Sequence, residues 1–279
     1  MSSTGIMGVG FHSSFLRRHP LDTAIDKVAA AGYDAIELNA EGLHVHVSPG
    51  LSGEERKRLK LRAADAGLAI SAVAAHANMV EPDTERRRDN LAYVLGCIDL
   101  AADVGAPVAH LLSGNLSPGV PSDDAWAWLV QGVARCIERG QATGVRVGFE
   151  PVVNQFVCNV AGLWELMRTL EPLTLYVNFD PSHYQVHGDD PVAAVRTFGA
   201  RTVHVHVKDA MGTPGNFQFP PLGQGDVDFQ GVIAALNETK YQGFLSVEHE
   251  ADAFGYVETE EAVLRDSLRF VRRLLGSHS

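Results

Sequence analysis

The sequence predicts an α/β fold, a single-domain (β/α)8 barrel of the TIM type that spans residues 1–279. Its length of 279 residues is close to the ~250 typical of such barrels. Short β-branched runs alternate with longer segments of helical period, and no Pro-, Gly- or Ser-rich linker divides the chain. An open doubly wound sheet fits less well. Its glycine-rich turn would follow the first strand, whereas residues 5–10 lie within that strand.

The strands are expected in apolar runs, and they begin near Ile6, Ala35, Ala69, Pro107, Arg146, Thr174, Thr202 and Gly243. Between the strands, apolar residues recur about every 3.6 positions, and each such segment ends at a glycine or another turn residue. These segments predict helices over 21–31, 54–66, 84–104, 123–142, 161–170, 190–198, 229–239 and 258–275. One helix therefore follows each strand, which gives eight βα units.

Charge and cysteine content restrict the partners and the compartment. Asp and Glu number 34 against 23 Lys and Arg, and the net charge of −11 repels nucleic acid and anionic membranes. We expect neither as a partner and leave a homo-oligomer open.

The three cysteines are scattered, and Cys97 and Cys136 lie in apolar helical segments, where we expect them to be buried thiols. Without a signal-peptide pattern or an apolar run of ~18 residues, a cytoplasmic location is expected.

Alternation along each strand separates side chains that face the helices from those inside the barrel. In segment 202–208 the three valines, Val203 among them, are expected to face the helices, and His204, His206 and Lys208 the interior. The same alternation places further polar residues inside, namely His12, Glu37, His76, His110, Glu150, Asn178, Asp180, Ser246 and Glu248. Because active sites of these barrels lie at the C-terminal ends of the strands, this end is the candidate site.

Three of these carboxylates, Glu150, Asp180 and Glu248, would repel one another by several kcal/mol per pair at a separation of ~4 Å. A divalent cation offsets this repulsion, and His206 adds a nitrogen donor. Three oxygens and one nitrogen suit Mn²⁺ best and permit Mg²⁺, Co²⁺ or Zn²⁺. Each residue alone has an equal structural alternative, as an ion pair or a hydrogen-bonded core histidine. Four such residues lie at the same level of strands five to eight, and this coincidence favours a shared metal ion over four separate structural roles.

Five segments resemble a known family: EP at 150–151, NFDPSH at 178–183, HVHVKD at 204–209, PLGQGDVDF at 221–229 and SVEHE at 246–250. They look like the sugar phosphate isomerase/epimerase family of the xylose-isomerase-like TIM barrel superfamily. The resemblance covers nearly the whole chain. It implies that Glu150, Asp180, His206 and Glu248 hold one catalytic metal, and that Glu150 and Glu248 are also the acid/base pair.

The implied activity is that of a divalent-metal-dependent isomerase or epimerase acting on a sugar or keto-sugar by proton transfer through a metal-bound enediolate. Loss of a leaving group from the same enediolate is elimination. A lyase, either an inosose-type dehydratase or an enzyme that cleaves an oxidised C- or O-glycoside, therefore stays open. A non-catalytic sugar-binding barrel is the third hypothesis. The two carboxylates that flank the chelated position argue against it, because a binder has no need of them.

Substrate binding is expected at the remaining interior residues, His183, Lys208, His110, His76, Glu37 and His12. Ketose 3-epimerases have an Arg six residues after the late-barrel His, which here is Gly212, and residues 211–224 contain no Arg or Lys. We therefore expect an uncharged sugar, inosose or glycoside.

The abasic-site nucleases of the superfamily need a histidine between His206 and Glu248, and this chain has none there, which argues against a nuclease. Two roles stay open for the loop aromatics, stacking on a sugar face or aglycone and packing within the loops, namely for Phe15, Phe156, Tyr184, Phe217, Phe219, Phe254 and Tyr256.

Overall fold

The computed structural model describes residues 7–41 and 46–276. Its strands are β1 (Gly8–His12), β2 (Ala35–Asn39), β3 (Ala69–Ala74), β4 (Val108–Leu111), β5 (Arg146–Phe149), β6 (Tyr176–Phe179), β7 (Thr202–Val207), β8 (Met211–Thr213), β9 (Asn216–Gln218) and β10 (Phe244–Val247). Eight of these close into a parallel barrel in the order β1-β10-β7-β6-β5-β4-β3-β2, which confirms the predicted fold. The first strand is described from Gly8, and Ile6 lies outside the described residues.

The helices surround the barrel as α1 (Leu21–Ala31), α2 (Gly53–Asp65), α3 (Thr84–Val104), α4 (Ser122–Thr143), α5 (Val160–Thr169), α6 (Pro181–His187), α7 (Pro191–Phe198), α8 (Phe229–Glu238) and α9 (Glu260–Leu274). Capping residues set several of their ends. Ser52 and Glu55 form a reciprocal capping box at the start of α2. Gly105 ends α3 in the left-handed conformation, at a φ of 84°. No helix within the described ranges has the length and apolar character needed to cross a membrane.

One α-helix and one β-hairpin of the structure were not predicted. The first is α6, which starts directly after β6 with Pro181 at its first position. The Asp180 side chain caps it by accepting the Ser182 N–H at 2.8 Å. The second is the antiparallel hairpin of β8 and β9, which lies in the loop after β7. Both elements are too short for a periodic apolar pattern, so the sequence shows only the turn residues around them.

The barrel interior follows the predicted alternation along most of β7. Val205 and Val207 belong to the main apolar core, while His204, His206 and Lys208 are buried polar side chains. Glu150, Asp180 and Glu248 directly follow β5, β6 and β10. The barrel therefore brings the predicted residues to the C-terminal end of its strands, where the candidate site was expected.

Val203 departs from the predicted helix-facing row. It packs with Ala72 and Val108 in a small cluster separate from the main core. The register between β6 and β7 shifts by one residue just before the pairing of Asn178 with His204, and Val203 is the residue left over. A bulge of this kind turns the side chain away from the face that alternation assigns to it.

Candidate active site

A cavity of about 330 Å³ opens at the C-terminal end of the barrel. Polar side chains line one part of it, namely Glu41, His76, Glu150, Gln155, His183, Lys208, Glu248 and Glu250. Apolar side chains line the remainder, namely Leu112, Val152, Val153, Phe217, Phe219, Ala253 and Phe254. The size and the mixed lining are those of a small-molecule site.

Four of the predicted residues come together at the C-terminal end of the barrel. Glu150 and Glu248 line this cavity, and Asp180 and His206 lie next to them, outside its lining. Glu150, Asp180, His206 and Glu248 each offer one ligand atom, and these atoms lie within 4.8 Å of one another. His206 Nδ1 is 3.2 Å from Glu150 Oε1, 3.3 Å from Glu248 Oε2 and 4.0 Å from Asp180 Oδ2. The four side chains are buried, which keeps bulk water away from them.

These residues fit a bound divalent cation. Among the described residues, His206 Nδ1 is a buried atom without a hydrogen bond, and it belongs to this group of ligand atoms. An imidazole lone pair beside three carboxylate oxygens is a common donor set for a divalent metal. Two further triads, His12–Glu37–His206 and His76–His110–Glu150, also have compact donor atoms. Each of them shares one residue with the first group.

Charge interactions favour the ionised forms of Glu150 and Glu248. Burial disfavours the carboxylate of Glu248, yet Lys208 and His206 hold its pKa well below the usual value. Burial likewise opposes ionisation of Glu150, but His206 lowers its pKa. Burial also favours neutral His206, and the surrounding carboxylates, Glu37 first, nevertheless raise its pKa well above the usual value. At neutral pH the carboxylates of Glu150 and Glu248 are therefore in the form that binds a cation or accepts a proton.

Lys208 bridges several acidic side chains across the floor. Its Nζ lies 3.0 Å from Asp180 Oδ2, 2.6 Å from Glu248 Oε2 and 3.0 Å from Glu250 Oε2. The ammonium also lies 4.7 Å from the centre of the Phe219 ring. These contacts make Lys208 part of the charge balance of the site.

Asp209, next to Lys208, binds the backbone of the following loop and not the other acidic side chains of the site. Its carboxylate accepts the backbone N–H groups of Gly223 and Gly225 at 2.8 and 2.9 Å. A side chain at position 225 would collide with that carboxylate, so the loop needs glycine there. Asp209 thus fastens the loop that carries the β8–β9 hairpin over the cavity.

The residues predicted to bind substrate lie in two layers. His183, His76 and Lys208 line the cavity. His183 Nδ1 accepts the Val153 N–H at 3.4 Å, so its Nε2 is directed towards Asp180, 3.5 Å away. Burial, followed by the charge of Lys208, lowers the pKa of His183 to about 4. His183 is therefore neutral at physiological pH and donates from Nε2.

The second layer lies below the cavity and consists of His12, Glu37 and His110. Glu37 is fully buried, and its Oε1 is 2.6 Å from His110 Nε2 and 3.7 Å from His12 Nε2. Neither His12, Glu37 nor His110 is among the residues that line the cavity. They contact the ligand residues from beneath, since His110 Nδ1 is 3.5 Å from Glu150 Oε2.

Of the seven loop aromatics, Phe217, Phe219 and Phe254 line the cavity. Their ring centres are 5.1 to 5.9 Å apart, so they form one apolar wall. The other four do not line it. Phe15 packs on His249, Phe156 packs on Trp126, Tyr184 is fully buried against Phe179, and Tyr256 donates to Gln218. For these four, packing within the loops and core accounts for the aromatic side chain.

Sequence reasoning missed two acidic residues of the lining, Glu41 and Glu250. Glu41 pairs with His76 at 3.1 Å, and Glu250 pairs with Lys208. Both continue the interior alternation beyond the end of a strand, because Glu41 lies four residues after Glu37 and Glu250 two residues after Glu248. Extending the alternation into the loops would have identified them.

Comparison with known proteins finds sugar enzymes among the relatives. An inosose dehydratase from Lacticaseibacillus casei is 24% identical over 248 residues, which cover 83% of this chain and 82% of that protein. A fructoselysine 3-epimerase from Shigella flexneri is 21% identical over 250 residues, covering 87% and 90%. Both matches extend over most of the barrel.

A solved structure and a family model agree with this relationship. The crystal structure of a D-tagatose 3-epimerase-like protein has a TM-score of 0.79 and 20% identity over 97% of each chain, a likeness that shows the common fold. The family model described as xylose isomerase-like TIM barrel matches residues 25–274, from α1 to the end of α9. The chain therefore belongs to the xylose isomerase-like TIM barrel family.

Proposed function

We propose that this protein is a divalent-metal-dependent isomerase or epimerase that moves a proton on a sugar or keto-sugar. The convergence of Glu150, Asp180, His206 and Glu248 in one buried cluster, of which Glu150 and Glu248 line the cavity, is the observation that carries the proposal. Three oxygen donors and one nitrogen donor suit Mn²⁺ best and accommodate Mg²⁺, Co²⁺ or Zn²⁺. A metal held there would chelate adjacent oxygens of a hydroxy-ketone and stabilise the negative charge that develops beside the carbonyl.

Glu150 and Glu248 would carry out the proton transfer. Glu150 follows β5 and Glu248 follows β10, and β6 and β7 lie between these two strands in the barrel. The two carboxylates therefore approach the site from different directions. One would take the proton from the carbon beside the carbonyl, and the other would return a proton. Return to the opposite face of that carbon gives an epimer, and return to the neighbouring carbon gives an isomer.

The lining of the cavity favours an uncharged sugar, inosose or glycoside. Within the described part of the lining, Lys208 is the single Lys or Arg, and it is already paired with three carboxylates. A phosphate group would need free Arg, Lys or a nest of backbone N–H groups. His76 and His183 are placed to bind sugar hydroxyls, and the apolar wall offers ring faces for stacking.

A lyase is the second candidate, and the similarity to inosose dehydratase over 83% of the chain favours it. The same proton removal, followed by departure of a neighbouring oxygen or carbon group, gives elimination. The catalytic residues would be shared between the two reactions. Which reaction occurs depends on whether the bound substrate places a leaving group next to the developing charge.

Solvent proton exchange tests these possibilities. The Mn²⁺-loaded protein is incubated in D₂O with a panel of ketoses, inososes and 3-keto-glycosides, and the sugars are recovered for NMR and mass spectrometry. Deuterium beside a carbonyl, with an epimer or isomer as product, supports the proposal. Release of water or of an aglycone supports the lyase. A metal-loaded protein that binds a panel sugar but exchanges no proton is the non-catalytic binding barrel and contradicts the proposal.

A further inference from the structure

Glu37 occupies the centre of a histidine cluster directly beneath the proposed metal ligands. Its side chain is fully buried. Oε1 lies 2.6 Å from His110 Nε2 and 3.0 Å from His206 Nε2, and Oε2 lies 2.9 Å from His204 Nε2. One carboxylate is therefore within hydrogen-bond distance of the same nitrogen, Nε2, of three different rings.

Hydrogen bonding to Glu37 determines which nitrogen of a neutral His206 ring has the free lone pair. A neutral imidazole carries one N–H, and a carboxylate can only accept. When a bound metal displaces the second proton of the ring, a His206 that donates from Nε2 to Glu37 presents an unprotonated Nδ1. Nδ1 is the atom that lies beside the oxygens of Glu150, Asp180 and Glu248.

The partners of Glu37 also suggest that it is retained for more than packing. Among the described residues its partners within 4.0 Å are histidine nitrogens, and no Lys or Arg is one of them. A buried carboxylate without Lys or Arg beside it is expensive to keep, and hydrogen-bond donors must offset its lost hydration. An apolar side chain would fill the same space without this cost.

We propose that Glu37 is a positioning residue that holds His206 in the tautomer and orientation in which Nδ1 binds the divalent metal. His204 supports it from below by donating to Oε2, which fixes the plane of the carboxylate while Oε1 contacts His206. The inference rests on the proposed function, because it requires His206 to be a metal ligand. Carboxylates that orient a metal-binding histidine in this way typically contribute 10–100-fold to metal affinity.

The first test compares Mn²⁺ affinity, by isothermal titration calorimetry, between the wild-type protein and Glu37→Gln. The amide has the same size, but it loses the charge and directs an N–H group at rings that themselves donate. We expect affinity about 10–100-fold weaker with the stoichiometry unchanged. Leu129→Ala is the control for general destabilisation, because Leu129 is a fully buried core residue on α4. It should lower stability and leave the affinity unchanged.

A matched pair of variants at His204 tests the support from below. His204→Gln keeps an N–H that can reach Glu37, whereas His204→Leu removes the donor at similar volume. Affinity near that of the wild type in the first variant and weakened in the second supports the arrangement. Equal affinity in the two variants would show that His204 does not orient the carboxylate.

The second readout is the tautomer of His206 in the wild-type protein, which requires no variant to fold. Protein with ¹⁵N-labelled histidine is loaded with diamagnetic Zn²⁺, and His206 is assigned by the loss of its signals in His206→Gln. We expect a protonated Nε2 and an unprotonated, metal-shifted Nδ1. Protonated Nδ1 in the loaded protein, or unchanged affinity in folded Glu37→Gln, overturns the role of Glu37 alone. Wild-type protein that binds no divalent metal overturns the proposed function together with it.

Discussion

Lys208 Nζ lies 2.6 Å from Glu248 Oε2, the same oxygen that is 3.3 Å from His206 Nδ1. The ammonium also contacts Asp180 Oδ2, so it pairs with two of the four proposed metal ligands. Ammonium and divalent metal attract the same oxygens and repel each other. Lys208 therefore stabilises the metal-free protein, and binding of the proposed metal would redistribute its contacts, with Glu250 as the remaining partner.

Replacing Lys208 by Met should separate its stabilisation of the metal-free protein from its competition with the metal. Without metal, breaking the buried ion pairs leaves carboxylates uncompensated, and the free energy of unfolding should fall by about 3–5 kcal/mol. Mn²⁺ should bind at least about tenfold more tightly, roughly 1.4 kcal/mol, because a like charge has been removed. Urea denaturation with and without Mn²⁺, together with calorimetric titration, measures both changes. Weaker metal binding in the folded variant would contradict this account of Lys208.

Asp180→Asn should reduce the affinity for Mn²⁺ by at least about 100-fold, because a charged ligand becomes a neutral amide. The amide oxygen can still accept the Ser182 N–H, so α6 keeps its cap. Asp190→Asn is a matched control, since Asp190 caps α7 in the same way, also before a proline, and lies outside the site. Metal per chain is measured by elemental analysis after dialysis. One ion in the wild type and full retention of that ion in Asp180→Asn would remove Asp180 from the ligand set.

Glu150→Gln and Glu248→Gln should each lower kcat by about 10² to 10⁴, because the amide cannot accept a proton. Metal content is measured on the same samples, and only metal-replete protein is compared. The variant that still exchanges the substrate proton with D₂O while forming no product has kept the base. Glu165→Gln, on the exposed face of α5, is the control for loss of a surface charge. Normal turnover by the metal-replete double variant would leave the two carboxylates without a role in proton transfer.

Val205→Ala should lower the free energy of unfolding by roughly 1–3 kcal/mol through lost apolar burial and a cavity. Val205 is 1% exposed and packs in the main core, on the opposite side of β7 from His206. Turnover per folded molecule should therefore stay close to the wild-type value. Val257→Ala is the control, because Val257 is 96% exposed and its truncation should leave stability unchanged. A large loss of turnover at an unchanged midpoint of unfolding would mean that Val205 belongs to the site.

Burial of Cys97 and Cys136 predicts how thiol reactivity and stability depend on pH, and neither effect involves the candidate active site. Burial raises the pKa of Cys97 to about 12 and that of Cys136 to about 12. The thiolate is the reactive form, so at pH 8 iodoacetamide should modify half-buried Cys158 well before either of them. Because the folded state holds these two protons more tightly, stability should decline as pH rises above about 9. Peptide mass spectrometry of briefly alkylated native protein measures the order, and early labelling of Cys97 would contradict it.

The barrel and the position of the site were predictable because both follow from alternation. Along β7, alternate residues are valine and histidine, and the C-terminal end of a parallel strand is where a carboxylate such as Glu150 or Glu248 can converge with others. A period of two is set by the backbone and does not depend on the rest of the fold. The structure accordingly brings the four expected ligand residues into one cluster.

Other features could not be predicted, because they depend on local backbone geometry or on contacts between loops. The bulge at Val203 leaves no mark in the apolar pattern, yet it shifts the register with β6 and places Val203 outside the main core. Loops have no period, so nothing in the sequence separates Phe219, which lines the cavity, from Tyr184, which is buried in the core. The position of Glu37 below the cavity depends on three rings from other strands.

The attachment of the hairpin loop through Asp209 has a consequence for engineering this protein. Asp209 fixes the loop at Gly223 and Gly225, whereas the turn between Thr213 and Asn216 is exposed and far from those contacts in sequence. The hairpin lies between Asp209 and the glycines that Asp209 holds, so its sequence can be exchanged while both ends of the loop stay in place. We expect libraries that vary the strand positions around Phe217 to alter substrate preference, because the proposed metal ligands are left as they are.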